Sequence, residues 1–219
     1  MKKVIAVILI TIGIVVIVQA IGLKTYTKVK ENQLINEFED ELEKKLDDKQ
    51  EPLTSDPPTQ EQVQEMKSLL GGEKLAIIEI PKIGVKSIIV EGTEMRHLKY
   101  YVGHFTQTKM PGEYGNFAIS GHSSTVYTEV FNKVHTLKPD DLIKITTLFG
   151  EYDYYVKTTE MVNPYRYDVL NDEEGKRSLT IVTCNENGSM RLIVKAEMDE
   201  PLDEEYIEEG DLQEDDAID

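Results

Sequence analysis

Cys184 has the most distinctive chemistry in this chain, because it is the single cysteine among 219 residues. A thiolate is a strong nucleophile toward carbonyl carbons. A histidine can protonate a departing amine, and a guanidinium offers several fixed donors to a developing oxyanion. His122 and Arg191 are our candidates for these two functions, and the scheme requires no carboxylate to orient the histidine.

Each candidate also has a common structural explanation. A lone cysteine is more often inert and buried, a lone histidine more often lies in a loop, and a strand arginine is usually a solvated charge. Two of the other histidines, His97 and His135, fall on helix-like segments. The competitor of His122 is therefore His104, in the sequence Gly103-His104-Phe105.

Two predicted strands joined by a hairpin-type turn position the cysteine and the arginine. The first strand ends at Cys184, and alternation places this side chain on the face opposite the core, together with Val182. The second strand begins at Arg191, which shares its outward face with Ile193. The pattern therefore predicts Cys184 and Arg191 at the same end of one hairpin, beside two apolar side chains.

A third predicted strand, Asn116–Gly121, positions the histidine. Its Phe117 and Ile119 suit the core, so Ala118 and His122 take the other face, with His122 at the strand end. The three functional groups could then meet at strand ends around a shallow apolar groove. Alternation alone does not show that this strand lies next to the hairpin.

These strands belong to a compact region, 73–198, of about 125 residues, which is large enough for an independent core. Short strands at regular spacing predict an all-β fold, an antiparallel barrel or sandwich. Short helices are expected at Thr93–Tyr100 and Thr128–Leu137, and Met161–Arg177 is a long connection of a kind that is often functional. The other predicted strands are Leu75–Ile80, Val85–Val90, Leu142–Thr147 and Tyr152–Thr159.

Residues 1–28 are predicted to form a short cytoplasmic stub and a membrane anchor. Val4–Leu23 is apolar apart from Thr11 and Gln19, and as a helix it would span roughly 30 Å, about one hydrocarbon core. We favour an uncleaved single-pass anchor in the cell membrane, with the folded domain extracellular. The alternative is a signal peptide cleaved after Val18-Gln19-Ala20, but the apolar run continues past that site.

Residues 29–72 are expected to form a stalk helix and a linker, the latter with a short helix at Val63–Leu70. In the stalk an apolar side chain recurs every four residues, at Leu34, Phe38, Leu42 and Leu46. This narrow stripe favours a solvated stalk over a helix that covers its own domain or a partner. Residues 199–219 contain 12 acidic residues and no basic ones, a composition typical of a disordered tail.

Composition disfavours several classes of function. The formal net charge of −17 opposes binding to nucleic acid, whose phosphates need clustered Lys and Arg. One cysteine excludes an internal disulfide, a CxxC redox pair and a Cys-rich zinc site. Serine and metal hydrolysis are weak hypotheses, since the sequence has no GxSxG or HExxH motif. We assign no cofactor and no metal site.

Around the three candidates the sequence resembles the sortases, the cell-wall transpeptidases of Gram-positive bacteria. Leu179–Cys184 is similar to the family's TLxTC strand, and Arg191–Val194 is similar to its arginine strand. The resemblance extends over Leu75–Met198, and several ordered motifs are far more specific than a lone cysteine. The other matching segments are Pro111–His122, like the family's PGE-x-GN…GH segment, Ile80–Ile83 and Glu91–Thr93.

The resemblance implies an eight-stranded sortase β-barrel and a role for each candidate. Cys184 would be the nucleophile, His122 the general acid and Arg191 the stabiliser of the substrate and the oxyanion. His104 matches a motif position that is not catalytic in the family, so we rank it as structural. The implied substrate-binding residues are Thr183, Val182, Val169, Leu170 and, more weakly, Ala118.

The implied reaction is transpeptidation. Cys184 would attack the threonine carbonyl of an LPxT-type signal near the C-terminus of a secreted protein, and the amine of a lipid-linked peptidoglycan precursor would resolve the thioester. The alternatives are pilin polymerisation, with a pilin lysine as acceptor, and a membrane-tethered β-barrel that binds without chemistry. Asp56-Pro57-Pro58 lacks the aromatic residue of a pilus-type lid, and the short connection from Cys184 to Arg191 is closer to class D than to class A.

Overall fold

Eight strands form a closed barrel in the computed structural model, which describes residues 2–49, 52–70, 74–123, 130–185 and 187–198. The strands are β1 (Lys74–Ile80), β2 (Val85–Glu91), β3 (Val102–His104), β4 (Gly115–Ser120), β5 (Leu142–Thr146), β6 (Glu151–Val162), β7 (Arg177–Cys184) and β8 (Arg191–Glu197). Their order around the barrel is β1-β2-β3-β4-β7-β8-β6-β5. The all-β, eight-stranded barrel is therefore confirmed.

Side-chain alternation fills the barrel with apolar residues. β7 buries Leu179 and Ile181 completely, and β8 does the same with Val194 and Ala196. The prediction that the strands pair antiparallel holds for most neighbours but is wrong for two pairs: β2 and β3 run parallel, and so do β4 and β7. Each parallel pair is joined by a crossover connection, and alternation within single strands carries no signal for it.

Helix α1 (Lys2–Lys49) continues without interruption from the apolar run into the predicted stalk. Its stalk half packs on the barrel: Phe38 has no exposed surface, Ile35 is buried, and Leu34 and Leu42 contact the same core. The prediction of a solvated stalk is therefore wrong, and the alternative, a helix that covers its own domain, is correct. One apolar side chain per turn is enough to seal a barrel face whose outward residues are themselves partly apolar.

The apolar half of α1 has a different environment. Its apolar side chains from Val4 to Leu23 are exposed and pack on no other part of the described protein. By length and composition it is a candidate membrane span.

The predicted linker also packs on the barrel. Helix α2 (Gln60–Leu69) begins after Thr59, whose hydroxyl accepts from the backbone N–H of Gln62 in a capping box. The helix buries Val63 and Met66 in the core. The short helix expected in this segment is thus present and contributes to the core.

The start of β7 contacts the linker that precedes α2. We call this region the closed end of the barrel and define it by Arg177, Tyr152, Ser55 and Asp56. Arg177 Nη1 donates to the carbonyl of Ser55, and the Tyr152 hydroxyl donates to the carbonyl of Asp56 at 3.4 Å. From here the seven steps along β7 to Cys184 cover about 23 Å. Asp56 and the prolines after it therefore lie far from the cysteine.

The two predicted short helices differ in outcome. Helix α3 (Met95–Leu98) lies within the first prediction. In the second, the structure has a short 3-10 turn at Val134–Thr136, and 128–129 lie outside the described residues. The acidic segment 199–219 is also outside them.

Candidate active site

Cys184 and Arg191 are the last opposed pair of the β7–β8 hairpin. Directly opposed residues of antiparallel strands point to the same face, with Cα atoms about 5 Å apart. Both side chains are half-buried, so the thiol is within reach of solvent. The pair lies where alternation in the sequence predicts it.

His122 reaches the cysteine through the parallel pairing of β4 and β7. The two strands are in register up to Ser120 and Val182, and the Gly121 N–H extends the ladder by donating to the Val182 carbonyl at 3.3 Å. His122 follows two residues after the last pair, so the same register continued to that point would bring it beside Cys184, about 5 Å away on the neighbouring strand. The parallel pairing shows that the strand before His122 neighbours the cysteine strand, which the sequence left open. We refer to Cys184, His122 and Arg191 as the rim.

The buried Thr183 ties the two strands together beside the rim. Its hydroxyl donates to the carbonyl of Gly121 at 2.7 Å. Because Gly121 directly precedes His122, this bond holds the point at which the histidine leaves β4. Thr183 is almost fully buried and Ala118 has no exposed surface, so the structure does not bring these two predicted substrate contacts to the groove surface.

Desolvation controls the protonation of the histidine. Burial lowers the pKa of His122 below its usual value of 6.5, since a partly dry environment penalises the imidazolium. Among the described residues none forms a hydrogen bond with the ring. Near neutral pH the ring is therefore mainly a neutral imidazole, which can accept the thiol proton of Cys184.

The turn between β7 and β8 orients the guanidinium. Arg191 Nη1 donates to the carbonyls of Gly188 and Met190, at 3.3 and 3.4 Å. Gly188 has φ 74°, in the left-handed region that favours glycine. A guanidinium has five N–H groups, so donors remain for a substrate carbonyl or an oxyanion.

A second apolar cluster lies on the same outer face as the rim, where the sequence predicts a groove, and we keep that name for it. Val162, Val169 and Ile193 are buried together, and Leu170 and Val182 pack against them while staying half-buried. Val182 and Ile193 are an opposed pair on β7 and β8. The structure thus brings the predicted Val182, Val169 and Leu170 together with Ile193, the second apolar side chain expected beside the rim, and it adds Val162.

A buried polar pair holds the wall of this groove in place. Asn116 Nδ2 donates to the carbonyl of Val169 at 3.2 Å, and the Thr180 hydroxyl donates to Asn116 Oδ1 at 2.8 Å. The N–H of Asn116 donates to the Asp172 carboxylate at 2.9 Å. We did not single out Asn116, although an asparagine inside an otherwise apolar strand was an available signal.

His104 has the opposite environment to His122. It is buried, with Nδ1 3.0 Å from the Glu91 carboxylate and Nε2 3.0 Å from the carbonyl of Lys109. Both ring nitrogens are therefore used in holding β3 to its neighbours. This geometry agrees with its ranking as a structural residue.

No group of three metal-ligating side chains (His, Cys, Asp or Glu) comes together within the described residues. The chemistry available at the rim is that of a thiol, an imidazole and a guanidinium.

The comparison with known families identifies the barrel. A profile described as the Sortase domain matches residues 78–199, more than half of the chain and all three residues of the rim. This chain belongs to the sortase family. Sortase family members are cysteine transpeptidases, and this sortase contains a single cysteine.

Two curated relatives are similar over the barrel region. Sortase D of Bacillus subtilis (strain 168) is 32% identical over 113 residues, which cover 52% of this chain and 55% of the relative. Sortase A of Bacillus anthracis is 25% identical over 123 residues, which cover 55% of this chain and 58% of the relative. The chain therefore spans little more than half the length of these relatives.

A solved structure extends the likeness beyond the barrel sequence. The Clostridium perfringens sortase D5 transpeptidase superposes with a TM-score of 0.61 at 36% identity. The superposition covers 77% of this chain and 97% of that one. The likeness therefore includes part of the chain outside the family profile.

Proposed function

We propose that this sortase is a membrane-anchored cysteine transpeptidase that cleaves an LPxT-type sorting signal of secreted proteins. The enzyme then transfers each cleaved protein to the amine of a lipid-linked peptidoglycan precursor. The rim supports this proposal: Cys184 and Arg191 are an opposed pair, and His122 ends the strand parallel to the cysteine strand. Three groups with complementary chemistry therefore share one accessible edge of the barrel.

In the first half-reaction the thiol of Cys184 gives its proton to the neutral imidazole of His122. The thiolate adds to the threonine carbonyl, and the Arg191 guanidinium donates to the oxyanion that develops. As the C–N bond breaks, the imidazolium returns its proton to the departing amine. The products are a thioester on Cys184 and a released C-terminal peptide.

In the second half-reaction an acceptor amine attacks the thioester carbonyl. The imidazole of His122 takes a proton from the attacking nitrogen, and the C–S bond breaks to release the thiolate of Cys184. The imidazolium then returns that proton to the thiolate. The new amide joins the secreted protein to the acceptor, and the enzyme returns to its starting state.

The groove supports recognition of an extended apolar signal. Leu170 and Val182 present partly exposed apolar surface beside the rim, and the remaining groove residues are buried beneath them. An apolar side chain of the signal that enters here removes its surface from water. Each fully buried aliphatic side chain contributes roughly 1.5–3 kcal/mol of transfer free energy.

The anchor places the enzyme near its substrates. We propose that the apolar half of α1 crosses the cell membrane once and that the barrel is extracellular, where secreted proteins and lipid-linked amines are found. The class D assignment draws support from the similarity to Sortase D and to the sortase D5 transpeptidase. Pilin polymerisation is not favoured, because Asp56 and the prolines after it lie at the closed end.

Mass spectrometry of the acyl-enzyme tests the proposal directly. The full chain is incubated with a library of LPxT-type peptides and no amine, then digested and sequenced. We expect one adduct, on Cys184, equal in mass to the peptide up to its threonine. In a parallel sample, an acceptor amine added to the intact acyl-enzyme before digestion should remove the adduct and yield the amide.

The matched control is Cys184→Ala, which should give no adduct from any peptide. Turnover equal to that of the wild type in this variant, or an adduct elsewhere in the chain, would defeat the enzyme proposal. Acylation by peptides without the LPxT pattern would retain the chemistry but overturn the substrate assignment.

A further inference from the structure

A cleft of about 330 Å³ separates the stalk half of α1 from the barrel at the end nearest the apolar run. Its helix side is one face of α1, with residues at the spacing i, i+3, i+4 and i+7. We call it the juxtamembrane cleft, defined by its lining residues Lys24, Thr27, Lys28, Glu31, Ile83, Gly84, Val85, Lys86, Val130, Asn132 and Lys133.

The cleft lies at the depth of lipid headgroups if α1 crosses a bilayer, so any contact with lipid there depends on the proposed anchoring. The apolar run ends at Leu23, and the helix side of the cleft begins with the next residue, Lys24, and ends at Glu31. At 1.5 Å per residue this interval covers about 10 Å. The headgroup layer on each side of the hydrocarbon core is roughly 5–8 Å thick.

The charge around the cleft favours an anion. Among the described residues that line it, four are lysines and one is a carboxylate. That carboxylate, Glu31, is 6% exposed and already accepts from Ser87 Oγ at 2.5 Å and from Lys28 Nζ at 3.0 Å. The side chain of Lys28 is 60% exposed, and Lys133 is also exposed. Both ammonium groups can reach a ligand that enters from the membrane side.

Lys86 has competing partners that an incoming anion must share. It pairs with Glu39 at 2.7 Å and with Glu79 at 2.9 Å, and its side chain is 44% exposed. Exposed ion pairs of this kind are weak, because water and salt screen the two charges. An ammonium has three N–H donors, so a phosphate oxygen can be added without displacing both carboxylates.

The cleft and the rim are at the same end of the barrel. The N–H of Phe131, within the wall segment 130–133, donates to the carbonyl of His122 at 3.1 Å. The Phe131 ring packs so closely on Gly121 that a Cβ there would lie 2.8 Å from it. A ligand in the cleft would therefore contact a segment that is bonded directly to the rim.

We propose that the juxtamembrane cleft binds the phosphate of an anionic phospholipid of the surrounding membrane, and that this contact seats the rim at the membrane surface. Clustered lysines at headgroup depth are attracted to an anionic membrane surface. A seated rim would face the layer in which membrane-tethered substrates and lipid-linked amines lie.

Native mass spectrometry of the detergent-solubilised full chain tests this site. The protein is mixed with equal amounts of phosphatidylglycerol and phosphatidylcholine that have the same acyl chains. We expect the wild type to retain phosphatidylglycerol about tenfold over phosphatidylcholine, the ratio that one well-placed ion pair with a charged partner supplies. The variant Lys28→Gln, Lys86→Gln, Lys133→Gln should lose most of this preference.

The matched control removes the same charge elsewhere, with Lys44→Gln, Lys67→Gln and Lys138→Gln, and should retain the preference. Equal retention of both lipids by the wild type, or an unchanged preference in the cleft variant, overturns the proposal. Binding of inorganic phosphate is measured separately, as broadening of its ³¹P resonance that the cleft variant abolishes. If phosphate binds in this way and the wild type shows no lipid preference, the site takes free phosphate and the lipid assignment is wrong.

This readout is separate from the enzymatic one. The cleft variant should form the Cys184 acyl adduct with a soluble peptide as fast as the wild type, because no residue of the rim or groove is changed. A wild type that prefers phosphatidylglycerol but forms no adduct supports the cleft and defeats the proposed function. A wild type that forms the adduct but shows no lipid preference supports the proposed function and defeats the cleft proposal.

Discussion

The two ends of β7 show how one strand can stabilise the fold at one end and present reactive groups at the other. At the closed end Arg177 is 5% exposed and donates to the backbone carbonyls of Ser55 and Gly112. At the rim Cys184 and His122 are half-buried, and no described residue hydrogen-bonds the imidazole. Satisfied polar groups add stability, whereas unsatisfied ones remain available to a substrate.

The largest expected effect is from removing the nucleophile. Cys184→Ala should lower the cleavage rate of an LPxT-type peptide by at least about four orders of magnitude, the scale seen when a catalytic nucleophile is lost. The melting temperature should change little, since the side chain lies at a half-buried rim. Chromatographic peptide-cleavage assays and thermal unfolding measure the two quantities. A variant that unfolds, or one that still cleaves, would contradict the contrast between the two ends.

The next effect separates the two histidines. His122→Ala should lower kcat/KM by about two to four orders of magnitude, the range for general acid–base groups, with little loss of stability. His104→Ala should instead destabilise the barrel, because it removes bonds to Glu91 and Lys109. Steady-state kinetics and urea unfolding on both variants provide the comparison. Activity retained in His122→Ala but lost in a folded His104→Ala would reverse our assignment.

Two arginines at opposite ends of the hairpin give the third test. Arg191→Ala should cost about 100- to 1,000-fold in kcat/KM, as the loss of an oxyanion donor does, with an unchanged unfolding midpoint. Arg177→Ala should lower the free energy of unfolding by about 2–3 kcal/mol, because buried carbonyls lose a charged donor. Urea titrations alongside kinetics measure both effects. The same stability loss in both variants would remove the distinction that we draw.

The smallest effect concerns the titration of the rim. Burial lowers the pKa of His122 below 6.5, so the unfolded chain binds a proton before the folded one does as the pH falls. Stability is thus unaffected well above pH 6.5 and declines as the pH drops through 6.5 toward the folded pKa. NMR titration of the imidazole C2–H in Cys184→Ala, with the urea-unfolded chain as reference, measures the shift. A folded pKa equal to or above the unfolded one would show that burial does not dominate.

Much of the barrel was predictable because period-two alternation reports which face of a strand is buried. The sides on which Leu179, Ile181 and Cys184 lie follow from that alone, and the structure agrees with them. The three-residue strand β3 gave no such signal, since alternation needs more residues to be recognised. The parallel register of β4 and β7 depends on contacts more than 60 residues apart in sequence, and no local pattern encodes it.

The stalk prediction failed for a related reason. An apolar residue every four positions is compatible with a solvated helix and with a docked one, and only the surface that it meets decides between them. Phe38 meets the barrel core, and Glu31 finds a partner in Ser87 on β2. The groove was better predicted, since Val182 and Ile193 are apolar on a face that otherwise favours polar side chains.

With α1 anchored in a membrane as we propose, its continuity would determine how this sortase searches for its substrates. A flexible tether would let the enzyme explore a hemisphere above the bilayer, whereas a helix fixed to the barrel would confine the thiol to a thin layer at one height. Encounters with other membrane-attached molecules then become a two-dimensional search, in which effective concentrations are set by the surface density of the partners. Shortening or lengthening this helix by part of a turn would both rotate and lift the barrel.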